Sequence, residues 1–274
     1  MAFQKLVRFE EHGTTQFGDL LECGDDGYKL EKLLGNPWEG LTSTGKIIKV
    51  PKLLSPLEST PIVICVGLNY QKHATEANLK IPSHPVIFTK PSDALAGPSD
   101  DIHVHPDAQP KLDYEGELCV IMGRDAKNVS EGDALEYVLG YTAGNDLSAR
   151  NYQLPEASGG QFCYAKSFDG FAPIGPAIWS AALVPDPQQL QLKTLVNGEV
   201  VQQTETSDMI WSVRQIIAHL SRGTTIRKGT VVMTGTPSGV GIFRGCFLKA
   251  GDVVEIEVEG LGKIANRMVF DKAV

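Results

Sequence analysis

The most constraining feature of this sequence is an acidic segment in mid-chain that runs directly into an apolar one. Asp113, Glu115 and Glu117 occupy alternate positions, and residues 118–123 are apolar. Because successive side chains of a strand point to opposite faces, we expect the three acids to share one face, about 6.5–7 Å apart. Burying such carboxylates unpaired costs several kcal/mol each. A divalent cation between them would offset that cost, so the segment is a candidate metal site.

The same residues allow a second interpretation. Charged side chains at a solvent-exposed strand edge discourage aggregation, and alternating acids are common on strands that face water. A metal site needs further ligands from elsewhere in the chain, whereas an exposed edge needs none. The other candidate residues therefore decide between the two interpretations.

Asp146 is a candidate for a third ligand. It lies where the strand-like segment 138–141 gives way to a loop. Two glutamates from one strand and an aspartate from another form an all-oxygen site, which suits Mg²⁺ or Mn²⁺. Neither an HxxxH spacing nor a Cys/His cluster indicates zinc. By itself, Asp146 fits a cap or turn residue equally well.

The composition narrows the range of partners. The chain has 274 residues, a formal net charge of −8 and a pI of about 5.3. An acidic balance without Lys/Arg clusters argues against nucleic acid and against an anionic membrane surface. The longest apolar run, 62–68, is far too short to cross a bilayer. The net negative charge is still compatible with a small anionic ligand, provided that local cations or a metal ion bind it.

The cysteines and the N-terminus bear on the compartment. Five scattered cysteines without a CxxC arrangement are typical of a reducing compartment and of a protein without a disulfide framework. The N-terminal segment lacks a secretory hydrophobic region and contains acids early, unlike a transit peptide. We therefore predict a cytoplasmic protein, and favour a mitochondrial location less.

Hydrophobic periodicity predicts more strands than helices, without the regular alternation of a doubly wound sheet. We expect a small β-rich segment over residues 1–58 and the main domain over residues 59–274. Helices are predicted over 69–78, with Asn69 as the N-cap, over 131–139 and over 208–220.

Two hairpins and one long loop are also predicted. Asn197 and Gly198 lie between strand-like runs, which indicates a tight hairpin turn. The segments 252–259 and 264–270 alternate like a closing hairpin. Residues 147–175 are polar and rich in glycine, and a loop of that length in a compact domain is usually functional.

A second group of candidate residues could carry proton transfer. His73 and Glu76 are three apart on the predicted helix, within reach of a hydrogen bond, and a carboxylate beside an imidazole raises its basicity. The same spacing fits a surface pair worth a few tenths of a kcal/mol. Lys90 and Lys166 are candidate cations for an anionic substrate, or solvated surface lysines.

The glycine-rich segment 234–241 permits close backbone approach to an anion, and its Thr236 and Ser238 supply hydroxyls. It lacks the Gly-Lys-[Ser/Thr] ending of a P-loop, which argues against nucleotide binding. A tight structural turn is the alternative.

Six segments, in this order, resemble the fumarylacetoacetate hydrolase family. They are 66–76, 88–92, 113–118, 140–150, 166–176 and 234–241. The resemblance extends over about residues 60–270. Any one of these segments alone would be a weak match, whereas six in order are specific.

The resemblance implies an α+β, strand-dominated fold, a mixed β-sandwich roll with a few short helices. It also implies a homodimer with one Mg²⁺ or Mn²⁺ ion. By position, Glu115, Glu117 and Asp146 correspond to the metal ligands. His73 and Glu76 correspond to a water-activating dyad on a mobile lid, and Lys166 to the cation that stabilises a developing enolate. The positions that correspond to substrate contacts are Tyr70, Lys90, Arg150, Gln153 and Thr236. Asp113 matches the first acid of the motif but is not a ligand in most relatives, so we place it behind the ligands.

The function implied first is metal-dependent hydrolysis of a carbon–carbon bond in a 2,4-dioxo acid of the acylpyruvate or fumarylpyruvate type. The same metal site would serve oxaloacetate decarboxylation, keto–enol tautomerisation or isomerisation of an unsaturated dioate. The dyad favours hydrolysis or decarboxylation over tautomerisation. A non-catalytic, metal-stabilised scaffold would need only the acids, so His73, Glu76 and Lys166 argue against it.

Overall fold

Strands dominate the chain, as the sequence predicts. The computed structural model describes residues 3–24 and 26–272, and Met1, Ala2, Asp25, Ala273 and Val274 lie outside the described residues. Strands contain 44% of the residues and helices 18%, which confirms the predicted strand-dominated fold with few helices.

The strands are β1 (Lys5–Glu11), β2 (Thr14–Gly24), β3 (Gly27–Asn36), β4 (Gly40–Val50), β5 (Val63–Gly67), β6 (Val86–Lys90), β7 (Leu95–Ala96), β8 (Ile102–Val104), β9 (Leu112–Asp113), β10 (Gly116–Met122), β11 (Val138–Asn145), β12 (Ser148–Ala149), β13 (Ala172–Ser180), β14 (Gln191–Val196), β15 (Glu199–Glu205), β16 (Val231–Met233), β17 (Val253–Val258) and β18 (Gly262–Phe270). The α-helices are α1 (Gln71–Glu76), α2 (Arg150–Gln153), α3 (Pro155–Ser158), α4 (Cys163–Lys166), α5 (Val213–Leu220) and α6 (Gly241–Arg244). Short 3-10 turns cover Ser92–Ala94, Pro106–Lys111, Ala134–Tyr137, Ala181–Leu183 and Thr206–Asp208.

The central sheet is mixed and has eleven strands, with β7 paired only to β13 at its side. Its main order is β4-β3-β2-β1-β13-β11-β10-β16-β5-β6. Strand β16 runs parallel to β5, whereas β10 and β11 are antiparallel. The proposed boundary at residue 58 falls between β4 and β5. Because β1 pairs with β13, the N-terminal strands extend the central sheet.

A second sheet, in the order β15-β14-β17-β18-β8, packs against the centre of the first. Leu118 and Val120 of β10 share one hydrophobic cluster with Val254 and Ile256 of β17. Cys119 and Ile121 point the other way, into a separate cluster. Because β10 is buried on both faces, its apolar run shows no polar alternation. Each fully buried Leu or Val contributes about 1.5–3 kcal/mol.

Three local predictions are wrong, each because tertiary contacts override local preference. The helix over 131–139 is only the 3-10 turn Ala134–Tyr137, after which β11 pairs with β10 and β13. Asn69 is not a helix cap, since its amide donates to Trp211 O at 3.1 Å and Thr234 O at 2.6 Å. The loop over 147–175 contains β12, three short helices and the start of β13.

Other local predictions are confirmed wholly or in part. Asn197 and Gly198 form the hairpin turn between β14 and β15, with φ of 51° and 83°, as a type I′ turn requires. The closing hairpin is β17 and β18. The helix predicted over 208–220 is shorter, Val213–Leu220, because Ser212 and Gln215 form a capping box at its start.

None of the helices in the described part of the chain has the length and apolar character that crossing a bilayer requires.

We expect Leu118→Ala to lower the free energy of unfolding by about 2–5 kcal/mol, because Leu118 is fully buried between the two sheets. Urea denaturation of the chelator-treated protein measures the change. Leu34→Ala is the control, since Leu34 is 66% exposed, and should change stability by less than about 0.5 kcal/mol. Equal losses in the two variants would contradict the packing described above.

Candidate active site

Three buried carboxylates converge where β10 and β11 pair at one end. Glu117 lies in β10 opposite Gly144, Glu115 directly precedes β10, and Asp146 directly follows β11. The Asp146 N–H donates to the Glu115 carbonyl at 2.9 Å. One carboxylate oxygen from each acid lies within 4.8 Å of the others. The three side chains can therefore hold a single metal ion, and their all-oxygen donor set fits Mg²⁺ or Mn²⁺.

Two lysines lie within the same cluster. Lys166 Nζ, 1% exposed, donates to Glu115 Oε2 at 2.7 Å and to Asp146 Oδ2 at 2.9 Å. Lys90 Nζ contacts the other Asp146 oxygen at 2.6 Å and donates to the carbonyls of Leu147 and Phe171. Asp146 is therefore neutralised from both sides by buried ammonium groups.

Glu117 differs from the other two acids because it has no ion pair with any described residue. Within the described ranges, its Oε2 accepts one hydrogen bond, from the Gly235 N–H at 2.7 Å. Burial, followed by the like charges of Asp146 and Glu115, raises the pKa of Glu117 well above its ordinary value. A cation bound at this carboxylate would remove that penalty.

Glu115 is shifted in the opposite direction. Burial acts to raise its pKa, but Lys166 and Arg150 outweigh burial and lower the pKa to about 2. For Lys166, the carboxylates of Asp146 and Glu115 outweigh burial and raise the pKa. Both groups are therefore charged at neutral pH. Glu115 is ready to bind a cation, and Lys166 retains its proton.

The prediction that Asp113 shares a face with Glu115 and Glu117 is wrong. The backbone leaves the strand between β9 and β10, so Asp113 belongs to a separate two-stranded pairing with β12. Its carboxylate accepts Arg150 Nε at 2.8 Å. The position behind the ligands that the resemblance implies for Asp113 is compatible with this contact.

His73 and Glu76 form the hydrogen-bonded pair that their spacing predicts. His73 Nδ1 lies 3.1 Å from Glu76 Oε2, and His73 is buried. Glu76 also accepts the Gly239 N–H at 3.1 and 3.2 Å. The rings of His73 and Phe243 meet edge to face, with centroids 5.7 Å apart. The dyad helix α1 is therefore bound to the glycine-rich segment.

The five predicted substrate contacts differ in their surroundings. Arg150 and Lys90 lie inside the charged cluster and contact the acids directly. Gln153 Oε1 accepts Arg150 Nη1 at 2.7 Å, and Thr236 Oγ1 donates to Gly116 O at 3.1 Å. Tyr70 is fully buried, and its hydroxyl has no hydrogen-bond partner among the described residues.

Several supporting groups are absent from the sequence-based site. Gln202 accepts the Gly116 N–H at 3.0 Å and donates to Thr236 at 2.9 Å, which ties β15 to the start of β10. Gly235 supplies the backbone donor to Glu117, and Phe243 packs on His73. These contacts join residues far apart in the chain, and no local pattern indicates them.

The family model "Fumarylacetoacetate (FAA) hydrolase C-terminal" matches residues 62–269. A fumarylacetoacetate hydrolase domain-containing protein 2 homolog of Dictyostelium discoideum is 45% identical over 79% of this chain and 74% of its own length. An oxaloacetate tautomerase of Xenopus laevis, named as mitochondrial, is 38% identical over 92% of this chain and 77% of its own.

Solved structures at 34–35% identity resemble nearly the whole chain, and two of them cover 97% and 98% of it. The 5-carboxymethyl-2-hydroxymuconate delta-isomerase of Mycobacterium smegmatis superposes with a TM-score of 0.85 at 34% identity, covering 97% of this chain and 100% of that one. These neighbours confirm the predicted fold.

We expect Glu117→Gln to stabilise the metal-free protein by about 1–3 kcal/mol, because it removes a buried carboxylate that has no cation. A raised pKa in the fold means that stability falls as the pH rises above the ordinary glutamate range, so the advantage of E117Q should grow with pH.

Mn²⁺ should have the opposite effect on the two proteins. At a hundredfold excess over Kd, it should stabilise the wild type by about 2.7 kcal/mol and E117Q much less.

Urea denaturation with chelator and with Mn²⁺ measures both effects. Glu136→Gln, at an exposed surface pair with Arg124, is the matched control and should behave as wild type. Equal stabilisation of wild type and E117Q by Mn²⁺ would argue against Glu117 as a ligand.

Proposed function

Because this chain belongs to the fumarylacetoacetate hydrolase family, we propose that it catalyses metal-assisted keto–enol proton transfer on a small 2-oxo acid, with oxaloacetate as the first candidate. The observation that carries the proposal is the convergence of Glu115, Glu117 and Asp146 around buried Lys166. The names of the Xenopus and Mycobacterium relatives support it, since tautomerases and isomerases both move a proton without cleaving a carbon–carbon bond.

Glu115, Glu117 and Asp146 would hold one Mg²⁺ or Mn²⁺, which when bound supplies a Lewis acid for the 2-oxo group and positive charge for an anionic substrate. Lys166 adds a fixed ammonium to the same place. Its contacts with Glu115 and Asp146 hold it there and keep it protonated. Negative charge that develops on the substrate oxygen during proton loss is therefore stabilised by a group that needs no reorganisation.

His73 is the proposed proton carrier. Its Nδ1 faces the Glu76 carboxylate, so we assign the ring proton to Nδ1 and the free lone pair to Nε2. Nε2 takes a proton from the carbon next to the 2-oxo group and returns it to the oxygen, which converts the keto form to the enol without net oxidation. Such general acid–base catalysis contributes about 10²–10⁴-fold.

We revise the role of Lys90 and keep the other predicted substrate contacts as proposals. Lys90 donates to the carbonyls of Leu147 and Phe171, and its ammonium lies 2.6 Å from Asp146 Oδ1 as an ion pair. We therefore propose that Lys90 supports the ligand Asp146 rather than contacting substrate. Tyr70 is the strongest of the other predicted contacts, because its buried hydroxyl has no hydrogen-bond partner in the described part of the chain. The other predicted contacts are Gln153, Thr236 and Arg150.

Hydrolysis of a carbon–carbon bond in a 2,4-dioxo acid is the second candidate. The His73–Glu76 pair favours it, because an imidazole oriented by a carboxylate can activate water for attack on the 4-carbonyl. Oxaloacetate decarboxylation would use the same stabilisation of negative charge. A metal-stabilised scaffold without activity would show metal binding but no turnover of any of these substrates.

Two further proposals concern assembly and compartment. A homodimer is proposed by family resemblance, and light scattering coupled to gel filtration tests it. A cytoplasmic location stays our prediction, although the Xenopus relative is named as mitochondrial. Fractionation of the source cells tests it.

We expect the purified protein with Mg²⁺ to accelerate conversion of the oxaloacetate enol to the ketone, measured by ultraviolet absorbance. His73→Ala should lower that rate by about 10²-fold or more and leave Mn²⁺ affinity unchanged, because His73 moves the proton and does not hold the metal. His105→Ala is the control, since His105 is exposed on the 3-10 turn boundary and stacks on Phe168 outside the acid cluster.

Pyruvate release from acetylpyruvate, assayed in parallel, separates the two candidates. Cleavage of acetylpyruvate without acceleration of the oxaloacetate enol would replace tautomerisation by hydrolysis. A wild-type rate in H73A would show that the proton carrier is misassigned.

A further inference from the structure

Asp113 is a fully buried carboxylate whose hydrogen-bonding capacity is completely used. Oδ1 accepts the N–H groups of Tyr114 at 2.9 Å and Gly241 at 2.7 Å. Oδ2 accepts the Ile242 N–H at 3.0 Å and Arg150 Nε at 2.8 Å. Three backbone N–H groups and one buried guanidinium therefore converge on a residue that is not among the proposed metal ligands.

On one side, Asp113 fixes the carboxylate of a proposed ligand through Arg150. The guanidinium is 5% exposed and contacts Asp113 with Nε, Glu115 Oε1 with Nη2 at 2.6 Å, and Gln153 with Nη1. Because the fork of a guanidinium is planar and rigid, the position of Nε determines where Nη2 meets Glu115. The other Glu115 oxygen is held by Lys166.

On its other side, Asp113 holds the segment 239–243, which contacts the His73–Glu76 dyad. Gly241 comes so close that a Cβ there would lie 2.5 Å from Asp113 Oδ1, so only glycine permits the contact. Two residues earlier, Gly239 donates to Glu76, and two residues later, Phe243 packs on His73. The same carboxylate therefore contacts both halves of the proposed active site.

We propose that Asp113 is a positioning residue that sets the metal ligand Glu115 and the His73–Glu76 dyad in register. It acts on Glu115 through Arg150 and on the dyad through the backbone of Gly241 and Ile242. The inference rests on the proposed function, since it assumes that the two halves work on one substrate. Removing a partner that orients a metal ligand typically costs 10–100-fold in metal affinity or activity.

Asp113→Asn tests the proposal. The amide is nearly the same size, but it has one acceptor oxygen and presents an NH₂ group to two donors, so one of the two contact pairs must be lost. We expect the purified full-length variant to bind Mn²⁺ about 10-fold or more weakly, measured without substrate by EPR of free Mn²⁺. At saturating Mn²⁺, kcat for the oxaloacetate enol should also fall, with KM near the wild-type value.

Asp125→Asn is the matched control. Asp125 also accepts an arginine, Arg227 Nη1 at 2.6 Å, and a backbone N–H, that of Lys228 at 2.8 Å, but it lies outside the site. It should leave Mn²⁺ affinity and kcat unchanged. Wild-type Mn²⁺ affinity and kcat in folded D113N would overturn the proposal.

The path through Arg150 has its own test. Lysine keeps the charge but cannot contact Asp113, Glu115 and Gln153 together, so Arg150→Lys should also weaken Mn²⁺ binding. The D113N/R150K double variant should bind Mn²⁺ about as weakly as R150K alone, whereas multiplied losses would show that Asp113 does not act through Arg150.

If D113N does not fold, the Mn²⁺ affinity of R150K tests the proposal instead. Wild-type Mn²⁺ affinity in folded R150K would overturn it. A wild-type protein that binds Mn²⁺ but has no activity on oxaloacetate would refute the proposed function. The affinity comparison would still decide the role of Asp113.

Discussion

The candidate site depends on four carboxylates that are buried next to three cations in the described part of the chain. Asp113, Glu115, Glu117 and Asp146 are all buried, and the cations Lys90, Arg150 and Lys166 pair with the first, second and fourth of these acids. Among the described residues, Glu117 has no ion pair. Desolvating an unpaired carboxylate is expensive, and the pKa of Glu117 rises accordingly. A cation bound at Glu117 would therefore stabilise the folded protein. The arrangement of buried charges indicates a metal more strongly than the sequence motif of alternating acids does.

The sheet architecture explains how the acids come to be buried. Strand β10 is central, is paired on both sides by β11 and β16, and packs on the second sheet through alternate residues. Glu117 has the parity of Cys119 and Ile121, so it points away from the second sheet. Gly116, of the opposite parity, leaves room for Thr194, since a Cβ there would lie 2.1 Å from Thr194 Oγ1. The apolar run thus anchors the acidic end.

Sequence patterns predict the local structure, such as turns and hairpins, and the family motifs predict the residues of the candidate site. The Asn197-Gly198 turn, the closing hairpin and the His73–Glu76 pair follow from spacing alone. The common face assigned to Asp113 fails because the strand is interrupted at residues 114–115, between β9 and β10. The contact of Lys90 with Asp146 joins distant segments, and nothing in either neighbourhood indicates that the lysine is buried. Local periodicity contains no information about such pairings, which the assembled sheets determine.

Anomalous diffraction at the manganese edge, from crystals grown with Mn²⁺, would locate the cation directly. We expect one strong peak bound by a carboxylate oxygen from each of Glu115, Glu117 and Asp146, with Lys166 adjacent. Absence of a peak there at saturating Mn²⁺, with Glu117 still bonded only to Gly235, would contradict it.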